Sequence, residues 1–141
     1  MVAMSIQLVK AAGLTIVADA SENDRDLVAS LGVDIVVRRG DDVAARVREH
    51  FPNGVDGLAD GAVLNELSIS AVRDAGAFTA VRGFQGKPQR NISFSTTFVR
   101  AYDGEYEKLD RLRQQTETGV ITLRVASTYP PECGRRSSSP T

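Results

Sequence analysis

The chain has 141 residues, a formal net charge of −1, 42% hydrophobic and 25% charged residues, the makeup of one globular domain with a real core. Such a balance gives no broad basic surface for nucleic acid or acidic lipid, and no run approaches the roughly 20 apolar residues of a membrane helix. One cysteine, Cys133, and one histidine, His50, leave no Cys/His zinc site and no internal disulfide. Lys10 follows the first apolar residues rather than preceding them, so no signal-peptide pattern is present and a soluble cytoplasmic protein is expected.

Val2, Ile6 and Val9 recur at helical spacing, and Gly13 stops that helix. Leu14 to Ala18 is a short apolar run of the kind a strand covered on both faces carries. Ser21 with Asp24 three residues on predicts a capping box, opening a helix with Leu27, Val28 and Leu31 on one side and Gly32 at its end. Ile35 to Val37 reads as a second buried strand. Gly40 and Asp41 turn the chain into a helix with Val43, Val47 and Phe51 along one face, ended by Pro52. Asp41 and Asp42 suit its capping end better than an acid/base pair, since adjacent side chains diverge. His50, in the last turn, is read as a dipole-favoured structural residue.

Val55 to Ala59 is a weaker strand, diluted by Asp56 and Gly57. Leu64, Leu67 and Ala71 predict a helix after Gly61 that ends near Gly76, and Ala77 to Val81 a further buried strand. Residues 85–90 read as loop and Ile92 to Val99 as extended. Tyr102, Tyr106, Leu109 and Leu112 share a helical face ended by Gly119, and residues 120–125 read as the last strand. From Pro130 the periodicity disappears among Pro, Arg, Ser and Gly. Residues 1–129 are therefore expected to form the domain and 130–141 a disordered tail. Strands alternating with helices predict a parallel, doubly wound α/β sheet. Ligands in such sheets bind outside the carboxyl ends of the strands, which singles out residues 19–21, 38–40, 60–62 and 82–84.

Ser-Ile-Gln-Leu-Val-Lys-Ala-Ala-Gly at 5–13, then a strand, then Leu27 to Asp34, resemble the first helix, second strand and following turn of the medium-chain dehydrogenase/reductases. Asp56 to Ala62 resembles the family's fourth strand and its turn, Gly76 to Gly83 its fifth, and Leu109 to Arg113 with Gly119 to Ile121 its closing helix and strand. The likeness runs over residues 2–130 and rests on order and spacing rather than on any one motif. It implies a Rossmann-type domain, NAD or NADP as cofactor, and reduction of a carbon–carbon double bond or carbonyl, often in quinones or enals. The scarcity of Cys and His agrees with the family's zinc-independent, quinone-oxidoreductase branch.

Two departures accompany the resemblance. In the family a first strand and a glycine-rich turn precede the first helix, where this chain has Met1 and Ala3. Ala3 puts a Cβ where backbone N–H groups must approach a pyrophosphate. The family's substrate domain lies further upstream, and the likeness ends at Cys133. The resemblance thus implies a chain truncated at both ends, with weak cofactor binding or none and no turnover alone. The lost strand would lie between the second and fourth, leaving edges that stay open, pair Leu14–Ala18 with Val55–Ala59, or join a second copy in a homodimer.

Within that resemblance Asp19 can accept hydrogen bonds from the adenosine ribose and repel a 2′-phosphate, a lean toward NAD; otherwise it is a turn carboxylate before a helix. Ser21 and Arg25 can instead hold a 2′-phosphate, or be an N-cap and a surface residue. The backbone of Asp60, Gly61 and Ala62 would line the cofactor groove, with Asp60 also a candidate N-cap. Arg82, Gly83 and Phe84 would lie near the nicotinamide, Gly83 permitting close approach, or form an ordinary turn. Phe98 and Arg100 lie in a segment that in the family nears the cofactor or a neighbouring subunit; core and solvent are their plainer readings. Lys87 and Arg90 flank Pro88 and are read as solvated rather than phosphate-binding. No nucleophile–base set is present and no residue is assigned as catalytic, because hydride passing from cofactor to substrate needs none. Two rivals remain: a non-catalytic Rossmann-like module, and a response-regulator receiver, which needs a Lys after the fifth strand where this chain has Arg82.

Overall fold

The computed structural model describes residues 2–123, 125, 127 and 128; the expected tail at 130–141 lies outside them. Helix α1 (Val2–Ala11) buries Ile6, and Gly13, at φ +76°, turns the chain out of it. Strand β1 (Val17–Ala20) begins three residues later than the apolar run predicts. Asp34 sets that start. Its Oδ2 accepts the Ile16 N–H at 2.8 Å while Oδ1 pairs with Lys10 Nζ at 2.6 Å. The Ile16 N–H is thereby taken by a side chain while its carbonyl accepts the Ile35 N–H at 3.1 Å, the first paired residues are Val17 and Ile35, and Leu14 stays exposed.

A 3-10 turn (Glu22–Asp24) and helix α2 (Arg25–Ser30) lead to Gly32, at φ +94°, and to β2 (Ile35–Arg38), which pairs parallel with β1. Helix α3 (Val43–His50) buries Val43, Ala44 and Val47, the face its spacing predicts. Asp42 holds the N-cap position, but its carboxylate pairs with Arg46 and caps no backbone N–H.

Strands β3 (Val55–Asp60), β4 (Val72–Val81) and β5 (Ser93–Thr97) form a second, wholly parallel sheet in that order. The helix expected between Gly61 and Gly76 is cut to one turn, α4 (Glu66–Ile69), and β4 starts at Val72 instead of Ala77. The cause lies on both sides of α4. Asp60 ties the backbone of residues 62–65 into a turn, and Ala71 and Val72 are fully buried against β3, where helical backbone would leave the strand unpaired. Val55 pairs with Val72 but Gly57 with Ala77, so residues 73–76 bulge. Gly76 closes the bulge where a Cβ would come within 2.6 Å of Val72 and 2.9 Å of the Asp56 carbonyl oxygen.

Helix α5 (Tyr106–Glu117) buries none of its residues and ends at Gly119, at φ +77°. The strand expected at 120–125 is absent among the described residues. Ile121 is buried, and the Gln7 side chain takes up the backbone of Thr122: the Thr122 N–H donates to Gln7 Oε1 at 2.7 Å. An amide side chain thus replaces the ladder that a strand would need.

Two cores result. Val37, Val43, Ala44, Val47 and Ala71 form one, with Val17, Ile35, Val55 and Leu58 packed against it. Its members come from both sheets, so α3 is the element that joins them. The other gathers Ile69, Val72, Phe78, Ala80 and Ile92 under Phe84 and Phe94. β1 and β3 are not hydrogen-bonded to each other, so Leu14–Ala18 does not pair with Val55–Ala59. The architecture is the expected parallel α/β, Rossmann-like one, in two sheets. No described helix is long and apolar enough to cross a membrane.

Candidate functional site

Parallel pairing carries the ends of β1 and β2 to one edge and those of β3, β4 and β5 to another. The nine residues singled out individually from the sequence lie at or just past the ends of β1, β3 and β4, on three separate turns.

At the end of β1 the Asp19 carboxylate accepts Arg39 Nε at 2.7 Å, with the carboxylate side chain 23% exposed and the arginine 50%. Asp19 raises the Arg39 pKa above its ordinary value, through the hydrogen bond first and its charge second. Arg39 falls in the strand-end segment 38–40 that the sequence singles out, but the sequence does not pair it with Asp19. The ladder explains why: Asp19 pairs with Val37 and Ala20 with Arg38, so Arg39 is the first residue past the register, and only the register shows which of the two arginines turns toward Asp19. Ser21 Oγ donates to the Asp24 carboxylate at 2.7 Å. The two capping-box side chains thus meet each other, and neither caps a backbone N–H. Arg25, the first residue of α2, is exposed.

Asp60 is only 5% exposed. Its Oδ1 accepts the N–H groups of Ala62 and Leu64 at 3.0 and 3.2 Å, and its Oδ2 that of Asn65 at 2.6 Å. It therefore anchors a turn rather than N-capping a helix; the N-cap of α4 is Asn65. Gly61 and Ala62 are exposed, but the Ala62 N–H is already engaged by Asp60. The turn carries strain, since Val63 and Asn65 take φ of +63° and +52°. Asn65 Oδ1 is buried without a partner.

Arg82 and Gly83, at φ +62° and +78°, reverse the chain after β4. Phe84 packs edge-on against Phe78 at 5.8 Å, and its carbonyl accepts Thr96 Oγ1 at 2.9 Å. Phe98 is 54% exposed, not core; its ring lies over Gly83, 3.5 Å from where a Cβ would stand. That is ordinary contact, so the turn needs glycine for its left-handed backbone rather than for space.

Chemically the edge is furnished at one end. The Asp19–Arg39 pair offers acceptor oxygens and a cationic fork side by side, suited to ribose hydroxyls or a phosphate. No comparable cradle of free N–H groups is present at the turn after β3, because Asp60 fills it. Among the described residues no group of three His, Cys, Asp or Glu side chains could hold a metal.

No protein-family model matches the chain, and no curated protein matches it. Solved structures do. CurK enoyl reductase is 19% identical, with a TM-score of 0.72 over 91% of this chain and 43% of its own. A mycobacterial protein solved with NADPH is 17% identical, with a TM-score of 0.73 over 87% of this chain and 44% of its own. An alcohol dehydrogenase from the archaeon Aeropyrum pernix is 22% identical, with a TM-score of 0.72 over 86% and 38%. The chain spans less than half of each. What these likenesses show is the fold: a Rossmann-like α/β domain shared with part of each of these larger proteins.

Proposed function

We propose that this chain is the cofactor-binding half of an NAD(P)H-dependent oxidoreductase in the zinc-independent, quinone- or enal-reducing branch of the medium-chain dehydrogenase/reductases, inactive alone. The observation that carries this is the Asp19–Arg39 pair at the strand ends, within a fold shared with an NADPH-bound protein and an enoyl reductase. Asp19 alone favours NAD. With Arg39 beside it the balance moves to NADP, since guanidinium donors beyond Nε can engage a 2′-phosphate and offset the carboxylate's repulsion.

The residues fit such a cofactor in part. Asp19 and Arg39 would hold the adenosine ribose, with Ser21 and Arg25 at its margin, and Arg82, Gly83 and Phe84 would border the nicotinamide, which supplies hydride when bound. The turn after β3 offers the pyrophosphate little, since the N–H groups of Ala62, Leu64 and Asn65 are taken by Asp60, and at the start of α1 Ala3 puts a Cβ where close backbone approach is needed. Weak binding and no turnover follow. The test pairs two assays on the purified chain: direct titration with NADPH and NADH, and reduction of a quinone and an enal. Weak NADPH binding that Arg39→Ala abolishes, with no turnover, is the expected result; catalysis by the chain alone would overturn it.

A second reading has its own support. The edges of β1 and β3, unpaired among the described residues, and the occupied turn at Asp60 suit a non-catalytic module that binds no nucleotide. Absence of any NADPH binding at millimolar concentration would favour it.

A further inference from the structure

Away from the strand ends, a groove of about 590 Å³ runs between α3, α4 and the segment before β5, walled by Ala45, Arg48, Glu66, Ile69, Gln89 and Arg90. Arg48 lies in the last turn of α3, and Arg90 just precedes β5. The groove thus opens where the strands begin, on the side of the sheet opposite Asp60 and Gly83.

Two guanidinium groups converge on it. Arg48 Nη2 and Arg90 Nη1 donate to the same oxygen, the carbonyl of Val72, at 3.1 and 2.8 Å. Arg48 also donates to the carbonyls of Ser70 at 2.8 Å and Pro52 at 2.7 Å, and Arg90 to that of Ile69 at 2.9 Å. These carbonyls fix both forks but carry only partial charge. Arg90 has one carboxylate, Asp74 at 3.2 Å, itself 80% exposed; Arg48 has no ion-pair partner among the described residues. Two like charges held around one oxygen, partly withdrawn from water, repel each other. Each guanidinium carries five N–H donors, so both keep unused ones.

We infer that this groove binds a phosphoryl-bearing dianion, inorganic phosphate or a phosphomonoester, bridging Arg48 and Arg90. A phosphate's charge of about −1.5 to −2 and its several oxygens match two forks better than a single carboxylate does. The apolar wall of Ala45 and Ile69 leaves room for the organic part of an ester. Glu66 on the same wall opposes the anion and weakens its binding.

The test is calorimetric titration of the full chain with sodium phosphate, glycerol 3-phosphate and, at matched ionic strength, sodium chloride. Arg48→Gln would also remove three carbonyl partners, so the informative variants leave both arginines in place. Ala45→Glu sets a carboxylate into the groove from an exposed helix position and should weaken phosphate binding by about tenfold or more. Glu66→Gln should tighten it several-fold. Stronger binding of the ester than of phosphate identifies a phosphomonoester ligand; equal or weaker binding identifies free phosphate. Heats that chloride reproduces, an adventitious ion only, or a phosphate affinity that neither substitution moves, would overturn the inference.

Discussion

Replacing Asp60 by alanine removes the acceptor of three backbone N–H groups in a turn that also carries two left-handed residues. Hydrogen bonds to a charged group contribute about 1.5–3 kcal/mol each, so three set a ceiling well above what will be seen. Two effects lower it. Gly61, Ala62 and Val63 are exposed, so the Ala62 N–H can turn to water once freed. Val63 also leaves its left-handed conformation, recovering about 1–2 kcal/mol. The N–H groups of Leu64 and Asn65, both half-buried, gain least from solvent. A net loss of about 2–4 kcal/mol follows, a large share of a domain's usual 5–15 kcal/mol or so. Asp60→Asn keeps one acceptor oxygen and should lose about 1–2 kcal/mol. Urea unfolding of the three proteins, with midpoint and slope fitted separately, measures this. If Asp60→Ala unfolds within about 0.5 kcal/mol of the parent, or Asp60→Asn is the worse of the two, the carboxylate does not hold the turn.

Val63→Gly should stabilise the chain by about 0.5–1 kcal/mol, because relief of left-handed strain exceeds the entropy of glycine and Val63 is 41% exposed; a lower urea midpoint would contradict this. Phe78→Ala should cost about 3–5 kcal/mol, since the ring is 1% exposed between Phe84 and Phe94, and a loss under about 1 kcal/mol would mean a loosely packed second core. Lys10, and then the Ile16 N–H, lower the Asp34 pKa. The stabilisation this gives is complete above the ordinary carboxylate range and disappears as pH falls through the lowered value. Melting followed from neutral to strongly acidic pH should show the parent losing more stability than Asp34→Asn in that acid window. β4, paired on both sides, should hold the most slowly exchanging amides, with the unpaired edges of β1 and β3 exchanging faster; the reverse order would place a ladder between β1 and β3.

Where an element buries a regular face, the sequence marks it. Val43 and Val47 locate α3, and Ile35 to Val37 locate β2, because their spacing is the burial pattern itself. The failures share a different cause, namely a side chain that takes backbone groups out of the predicted element. Asp34 delays β1, Asp60 cuts α4 short, and Gln7 replaces the strand at Thr122. Two of these bonds link distant residues and the third closes a local turn through a side chain, and hydrophobic periodicity sees neither kind. The candidate site follows the same division. The strand-end positions are legible from the alternation of elements, so Asp19, Asp60 and Arg82 to Phe84 stand where expected. Their partners are not: Arg39 depends on ladder register, and the engagement of the Ala62 N–H on a local turn. Arg90, read as a solvated loop residue, binds the carbonyls of Ile69 and Val72 across the groove.

The most direct test of the strand-end edge as a cofactor site is NADPH titration followed residue by residue by heteronuclear NMR. The expected result is weak, saturable shifts in the amides of Asp19, Ala20, Ser21 and Arg39 that Arg39→Ala suppresses, with smaller shifts around Gly83. Shifts confined to the groove at Arg48 and Arg90, or none at any residue of the β1 and β2 ends, would contradict the assignment.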